Sequence, residues 1–186
     1  MSKISKEYVD QLTHLHATSA FGSGSRNAKI PKFVQSIIDD TSSLLDFGSG
    51  KGYFSAAIKD QYPDIKLHTY DPVTSPIELP KKVDTIYSSD VLEHVEAAHI
   101  DETLDDLFNI ATKYQYHLIA CHPAKKKLND GRNAHLIIET PDWWKAKLAK
   151  YNWEFVSEEV TDKVKNIRGN DLRVIKYIVL LKNGNR

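Results

Sequence analysis

The chain has 186 residues, enough for one domain with a sizeable core and too few for two ordinary ones. Its 25 Lys and Arg cancel its 25 Asp and Glu, so no global field draws it to nucleic acid or to an anionic membrane, and a charged partner must be met locally. The lone cysteine, Cys121, excludes an internal disulfide and a thiolate zinc site; with no apolar run of the ~20 residues that span a bilayer and no apolar core in "MSKISKEYVDQ", a cytoplasmic protein away from the membrane is expected.

In chain order, "KEYVDQLTHLH" and "IPKFVQSIIDD" read as two helices. The segment joining them, "ATSAFGSGSRNAK", is polar and glycine-rich, a loop fit to close over a ligand with Phe21 as its apolar anchor. "SLLDF" (43–47), "IKLHTY" (65–70), "VDTIYSS" (83–89) and "YHLIAC" (116–121) read as strands. Helical patterns separate them: "YFSAAIKDQY" after the first, and "AHIDETLDDLFNIAT" before the fourth, where Ile100, Leu104, Leu107, Phe108 and Ala111 fall at helical spacing. Behind the fourth strand come the loop "HPAKKKLNDGRNAH" and a helix opening on Pro141 in "PDWWKAKLAKYNW". Trp143 and Trp144 face different directions, one to the core and the other to the wall of a substrate pocket. "WEFVSEEV" and "LRVIKYIVLL" have no helical pattern between them and read as an antiparallel pair on one edge. The alternation of strands and helices gives an α/β fold, a mostly parallel sheet with helices on both faces and an antiparallel C-terminal strand pair. A single domain over 1–186 is expected, with helices and a lid in 1–42 and the core in 43–186.

"LLDFGSGKGYFS" places Gly48, Gly50 and Gly52 in a strand-to-helix turn at the carboxyl end of a central strand, where open α/β sheets bind ligands. Glycines there permit positive φ and let a ligand approach the backbone beside the amides of a helix start. A Walker A loop is excluded, because Lys51 is followed by Gly52 and the position five before Gly50 is Leu45. The spacing GxGxG also departs from the GxGxxG of dinucleotide sites. Asp46, two residues ahead of the glycines, would repel a pyrophosphate and attract a ligand bearing an ammonium and a sulfonium. Asp71, about 20 residues beyond the last glycine in "HTYDP", stands where a carboxylate accepts ribose hydroxyls.

"DFGSGKG", Asp71 and "SSDVLEHV" (88–95), in that order, resemble the class I S-adenosylmethionine-dependent methyltransferases. The resemblance covers residues 43–121 best and extends to small methyltransferases of phage and bacterial genomes. It implies a Rossmann-like fold and S-adenosylmethionine held by Asp46, Gly48, Ser49, Gly50, Gly52, Asp71, Pro72, Asp90 and Val91. One feature departs from the family. Only eleven residues, "PVTSPIELPKK", separate Asp71 from Val83, too few for the helix and strand that usually follow and that carry the adenine-boxing residues.

The implied activity is methyl transfer to an oxygen or nitrogen, an in-line displacement that needs positioning and a proton acceptor. His94 and His135 are the candidate bases, with Glu93 and His122 as further groups near strand ends. Neutral charge favours a small-molecule acceptor over RNA, although Lys125, Lys126, Lys127 and Arg132 would suit an anionic one. Two other readings stay open, an RNA-terminal 2′-O-methyltransferase and a non-catalytic S-adenosylmethionine-binding module. Asp90, Glu93 and His94 in D-x-x-E-H spacing, with His135, also resemble the E-x-x-E-H plus His set by which small-RNA 2′-O-methyltransferases bind a divalent ion. Mg²⁺, Mn²⁺ or Zn²⁺ at those four residues is the corresponding expectation.

Overall fold

The structure is a computed structural model and describes residues 4–18, 29–167 and 170–184. Six strands form one sheet: β1 (Ser43–Phe47), β2 (Lys66–Tyr70), β3 (Val83–Ser89), β4 (Ala111–Ala120), β5 (Glu154–Ile167) and β6 (Asn170–Lys182), in the order β2-β1-β3-β4-β6-β5. The first four are parallel, and β6 is antiparallel to both β4 and β5. Among the described residues five α-helices accompany them: α1 (Lys6–Thr18), α2 (Lys32–Gln35), α3 (Tyr53–Gln61), α4 (Ile100–Ile110) and α5 (Pro141–Leu148). This is the Rossmann-like arrangement expected, ending in an antiparallel hairpin. The carboxyl ends of β1, β2, β3 and β4 share one edge, and the loops leaving them build the site.

Both faces of the sheet are covered. On one, Leu104 and Leu107 of α4 and Trp144 and Leu148 of α5 pack on Leu45, Ile86, Ile119 and Val179. On the other, Val34, Ile37, Phe54 and Ile58 pack on Leu44, Tyr87, Tyr116 and Leu180. The α5 start follows from its sequence: Pro141 stands in the first turn, and the Thr140 hydroxyl accepts the Trp143 amide hydrogen at 3.2 Å.

Three expectations need correction. "IPKFVQSIIDD" is a single turn of α-helix followed by a 3₁₀ turn at Ile38–Asp40, because the chain leaves helical φ and ψ at Ile37. The fourth strand begins at Ala111 rather than Tyr116, since Ala111 is already extended at the helix end. Its polar residues are interior ones: the Ser88 hydroxyl donates to Nδ1 of His117, whose Nε2 donates to Gln115 at 3.1 Å, all three fully buried. Finally, Trp144 joins the core, but Trp143 lies against its ring and under the Lys147 ammonium, away from the cavity described below. The glycine-rich lid, Phe21 included, falls mainly in 19–28, outside the described residues.

Trp144→Ala should cost ~3–5 kcal/mol in urea-induced unfolding, the usual cost of emptying a buried indole site, and Trp143→Ala a small fraction of that.

Candidate active site

The turn after β1 is drawn tight against β2. The amides of Gly48 and Ser49 donate to the carbonyl of Tyr70 at 2.7 and 3.0 Å. Gly48, Gly50 and Gly52 have φ of 76°, 51° and 74°, left-handed values that a side chain would strain. At Gly48 space is also lacking: a Cβ would stand 2.3 Å from a methyl of Val91. Asp71, at the end of β2, locks the turn. Its carboxylate accepts the amide hydrogens of Gly50 (3.1 Å), Val73 (2.9 Å) and Thr74 (2.9 Å), and the Thr74 hydroxyl donates back to the carbonyl of Gly50. A carboxylate has about four acceptor positions. Three backbone amides occupy Asp71 in this arrangement, and its carboxylate still lines the cavity.

Asp46 is buried under the turn, where the Ser55 hydroxyl donates to it at 2.5 Å. Burial raises its pKa to about 6 against that hydrogen bond. These residues line a cavity of about 670 Å³. Asp46, Gly48, Ser49, Gly50, Asp71, Pro72, Asp90, Val91 and His94 all face it. Gly52 does not; it sits at the N-cap of α3. Ile4 and the α1 residues Tyr8, Leu12 and His16 roof the cavity, and Lys176 of β6 stands at its rim. Their sequence signals were slight, one residue in four along α1 and a lysine paired with Ala120 at the end of β4.

The segment after β3 is no helical turn at its start. Asp90 is left-handed (φ 53°), and both its oxygens are held by the Lys176 ammonium, at 2.8 and 3.0 Å. Leu92–His94 then form a 3₁₀ turn that buries Glu93 completely. One Glu93 oxygen accepts the Ala120 amide hydrogen at 3.1 Å, and the other has no partner. Burial, with Asp90 adding to it, lifts Glu93 from its ordinary 4.5 to about 8.

His94 donates from Nδ1 to the carbonyl of Ala134 at 2.6 Å, and burial pushes it down to about 4, with His135 the next cause. His135 donates from Nδ1 to the carbonyl of His122 at 2.5 Å, and its pKa is likewise lowered by burial. Both rings thus carry their lone pair on Nε2. Nε2 of His135 lies 4.0 Å from Glu93, a contact that is no ion pair while Glu93 holds its proton.

Glu93, His94 and His135 bring one potential ligand atom each within 4.8 Å of one another. Asp90 is not among them, which corrects the four-residue expectation: its left-handed backbone and its Lys176 pair direct it elsewhere. His135 stands behind His94, ring centroids 4.8 Å apart, and neither it nor His122 reaches the cavity wall. Lys125, Lys126 and Lys127 are exposed and do not line the cavity, and Arg132 binds Asp130 and Glu7.

A family model described as "Methyltransferase domain" matches residues 23–161. The chain belongs to this family. Solved structures agree on the fold of the methyltransferase. An S-adenosylmethionine-dependent methyltransferase from Archaeoglobus fulgidus is 15% identical, with a TM-score of 0.61 over 91% of this chain and 100% of that one. A phosphoethanolamine N-methyltransferase from Haemonchus contortus, in complex with phosphomonomethylethanolamine and S-adenosylhomocysteine, is 10% identical, with a TM-score of 0.62 over 97% of this chain and 60% of its own. The magnesium protoporphyrin IX methyltransferase of Synechocystis, with bound S-adenosylmethionine, is 11% identical at a TM-score of 0.53, covering 98% and 100%. Among curated proteins there is no match. The protein is therefore an S-adenosylmethionine-dependent methyltransferase. Among the described residues no helix is long and apolar enough to cross a membrane.

Two measurements probe the site of this methyltransferase. Gly48→Val should abolish calorimetric binding of S-adenosylhomocysteine, at least a tenfold loss, while Gly52→Ala, with nothing within 4 Å of its Cβ, should lose less. Glu93 has a folded pKa above its unfolded value, so the native state binds the extra proton between the two. Wild-type stability relative to Glu93→Gln should fall as pH rises from about 4.5 to about 8, and stay level above and below that window.

Proposed function

We propose that the enzyme transfers the methyl group of S-adenosylmethionine to an oxygen or nitrogen of a small-molecule acceptor. The observation that carries this reading is the roofed cavity. It runs from Asp71 past Asp46 to Asp90 and His94, and about 670 Å³ falls within the ~300–1,000 Å³ of small-molecule sites. A polymer would need an open groove, and Lys125, Lys126 and Lys127 do not line this cavity.

In this reading Asp46 receives the ammonium of the cofactor, whose charge favours the ionised carboxylate. Asp71, which already holds the turn through the Gly50 amide, is the acceptor for the ribose. Val91 and the backbone of Asp90 bound the sulfonium side. Attack by the acceptor forms the new bond to the methyl carbon as the carbon–sulfur bond breaks. Sulfur keeps the electron pair, and the acceptor's proton leaves. His94 is the proton acceptor nearest the reacting end: with Nδ1 committed to Ala134, Nε2 is its basic atom. His135, proposed as a second base from sequence, supports the His94 ring from behind and is not a contact of the acceptor.

The residues present also fit a divalent ion. Glu93 has a buried oxygen without a partner, and two imidazoles are oriented by carbonyls so that each offers Nε2. One oxygen and two nitrogens suit Zn²⁺ or Mn²⁺ better than Mg²⁺. A bound ion would lower the pKa of an acceptor hydroxyl. This donor set is the one feature that favours the RNA-terminal reading, against the roof and the neutral charge.

Incubation with methyl-labelled S-adenosylmethionine and a metabolite extract should label a small molecule and form S-adenosylhomocysteine. Label in RNA alone would favour the terminal methyltransferase, and no turnover with any extract a binding module. Chelator treatment followed by Zn²⁺ or Mn²⁺ should load one ion per chain, a stoichiometry that Glu93→Gln and His135→Ala lose.

A further inference from the structure

The sheet ends at β2, and residues 72–82 return to β3 as a connection without a strand. No element of the sheet therefore stands beyond Asp71 to wall in a base attached to a ribose held there. The helix α1 comes to that place instead. Tyr8, Leu12 and His16 recur every four residues, which puts them on one helical face, and all three line the cavity.

Two ends of that face are fixed by different strands' loops. Near the start, the Tyr8 hydroxyl donates to the carbonyl of His94 at 2.6 Å. Beside it, Ser5 gives its amide and hydroxyl hydrogens to the Glu96 carboxylate, each at 2.8 Å. Farther along, Leu12 packs in one apolar cluster with Val73, and His16 lies within electrostatic reach of Asp71 and Lys51. From Tyr8 to His16 the helix advances ~12 Å at 1.5 Å per residue. It thus runs from the segment after β3, at the methyl-transfer end, to the turn after β2, at the ribose end.

We infer that Leu12 and His16 of α1 form the wall against which the adenine of the cofactor lies, opposite Pro72, in place of a sheet strand beyond β2. The inference rests on the cofactor occupying this cavity with its ribose at Asp71. A purine presents apolar faces and an edge of nitrogen donors and acceptors. Leu12 and Pro72 supply cover for the faces, and the His16 imidazole supplies a hydrogen-bonding group for the edge. The helix is then a component of the cofactor site as well as its roof.

Photolabelling of the wild-type protein with 8-azido-S-adenosylhomocysteine, mapped by mass spectrometry with and without excess unmodified S-adenosylhomocysteine, tests this. The expected result is protectable label on the peptide that carries Leu12 and His16. His16→Ala, folded by circular dichroism, should bind S-adenosylhomocysteine about fivefold more weakly, the loss of one hydrogen bond. Protectable label confined to the segments around Pro72 or Val91, with His16→Ala binding as wild type does, would overturn the role of α1 and leave the cofactor in the cavity. Label outside every segment of the cavity would overturn both.

Discussion

The Asp71 carboxylate joins two turns of backbone, each at the carboxyl end of a neighbouring strand. It takes the amide hydrogen of Gly50 from the turn after β1 and those of Val73 and Thr74 from the turn after β2. The glycines that let a ligand approach the backbone are also the residues that lose most entropy on folding. A loop with three of them in left-handed geometry needs external bonds to hold one shape. Here those bonds come from the neighbouring strand: the Tyr70 carbonyl, the Asp71 carboxylate and the Thr74 hydroxyl. The same turn lines the cavity that α1 roofs, so one side chain ties the glycine loop to the sheet edge.

Burial sets the charge state of the groups around the methyl-transfer end. Asp46 is held up at about 6 and Glu93 at about 8, while His94 is held down at about 4. Glu93 and His94 consequently add little charge at neutral pH, while Asp46 and Asp71 line the cavity with carboxyl groups suited to a cation, and the cofactor is itself cationic. Desolvation costs each isolated charge dearly, so the arriving ammonium or ion favours ionisation of Asp46 or Glu93. The pair of Lys176 and Asp90 stands at the rim, where solvent screens it.

Strands bounded by turn residues and filled with apolar ones were legible to the residue: "SLLDF" and "VDTIYSS" are β1 and β3. "ATKYQYHLIA" was legible only in its second half, because its first half carries Thr112, Lys113 and a buried Gln115 whose oxygen is bonded by His117 inside the sheet. The glycine turn, Asp46 and Asp71 could be found from spacing, since local backbone chemistry dictates them. The part played by α1 could not. Its stripe of Tyr8, Leu12 and His16 reads as an ordinary core face, and only the tertiary fold reveals that the face meets a cavity. Asp90 misled for a related reason. The D-x-x-E-H spacing assumes a helical turn, whereas the chain passes through left-handed geometry at Asp90 before the 3₁₀ turn begins.

A cavity that seats a cationic nucleoside rather than a dinucleotide must discriminate between such ligands. Equilibrium dialysis of the wild-type protein against S-adenosylmethionine, NAD and ATP separates these. One molecule of S-adenosylmethionine should bind per chain, displaced by S-adenosylhomocysteine and unaffected by millimolar NAD or ATP. Saturable binding of NAD or ATP with none of S-adenosylmethionine would contradict the assignment of the site.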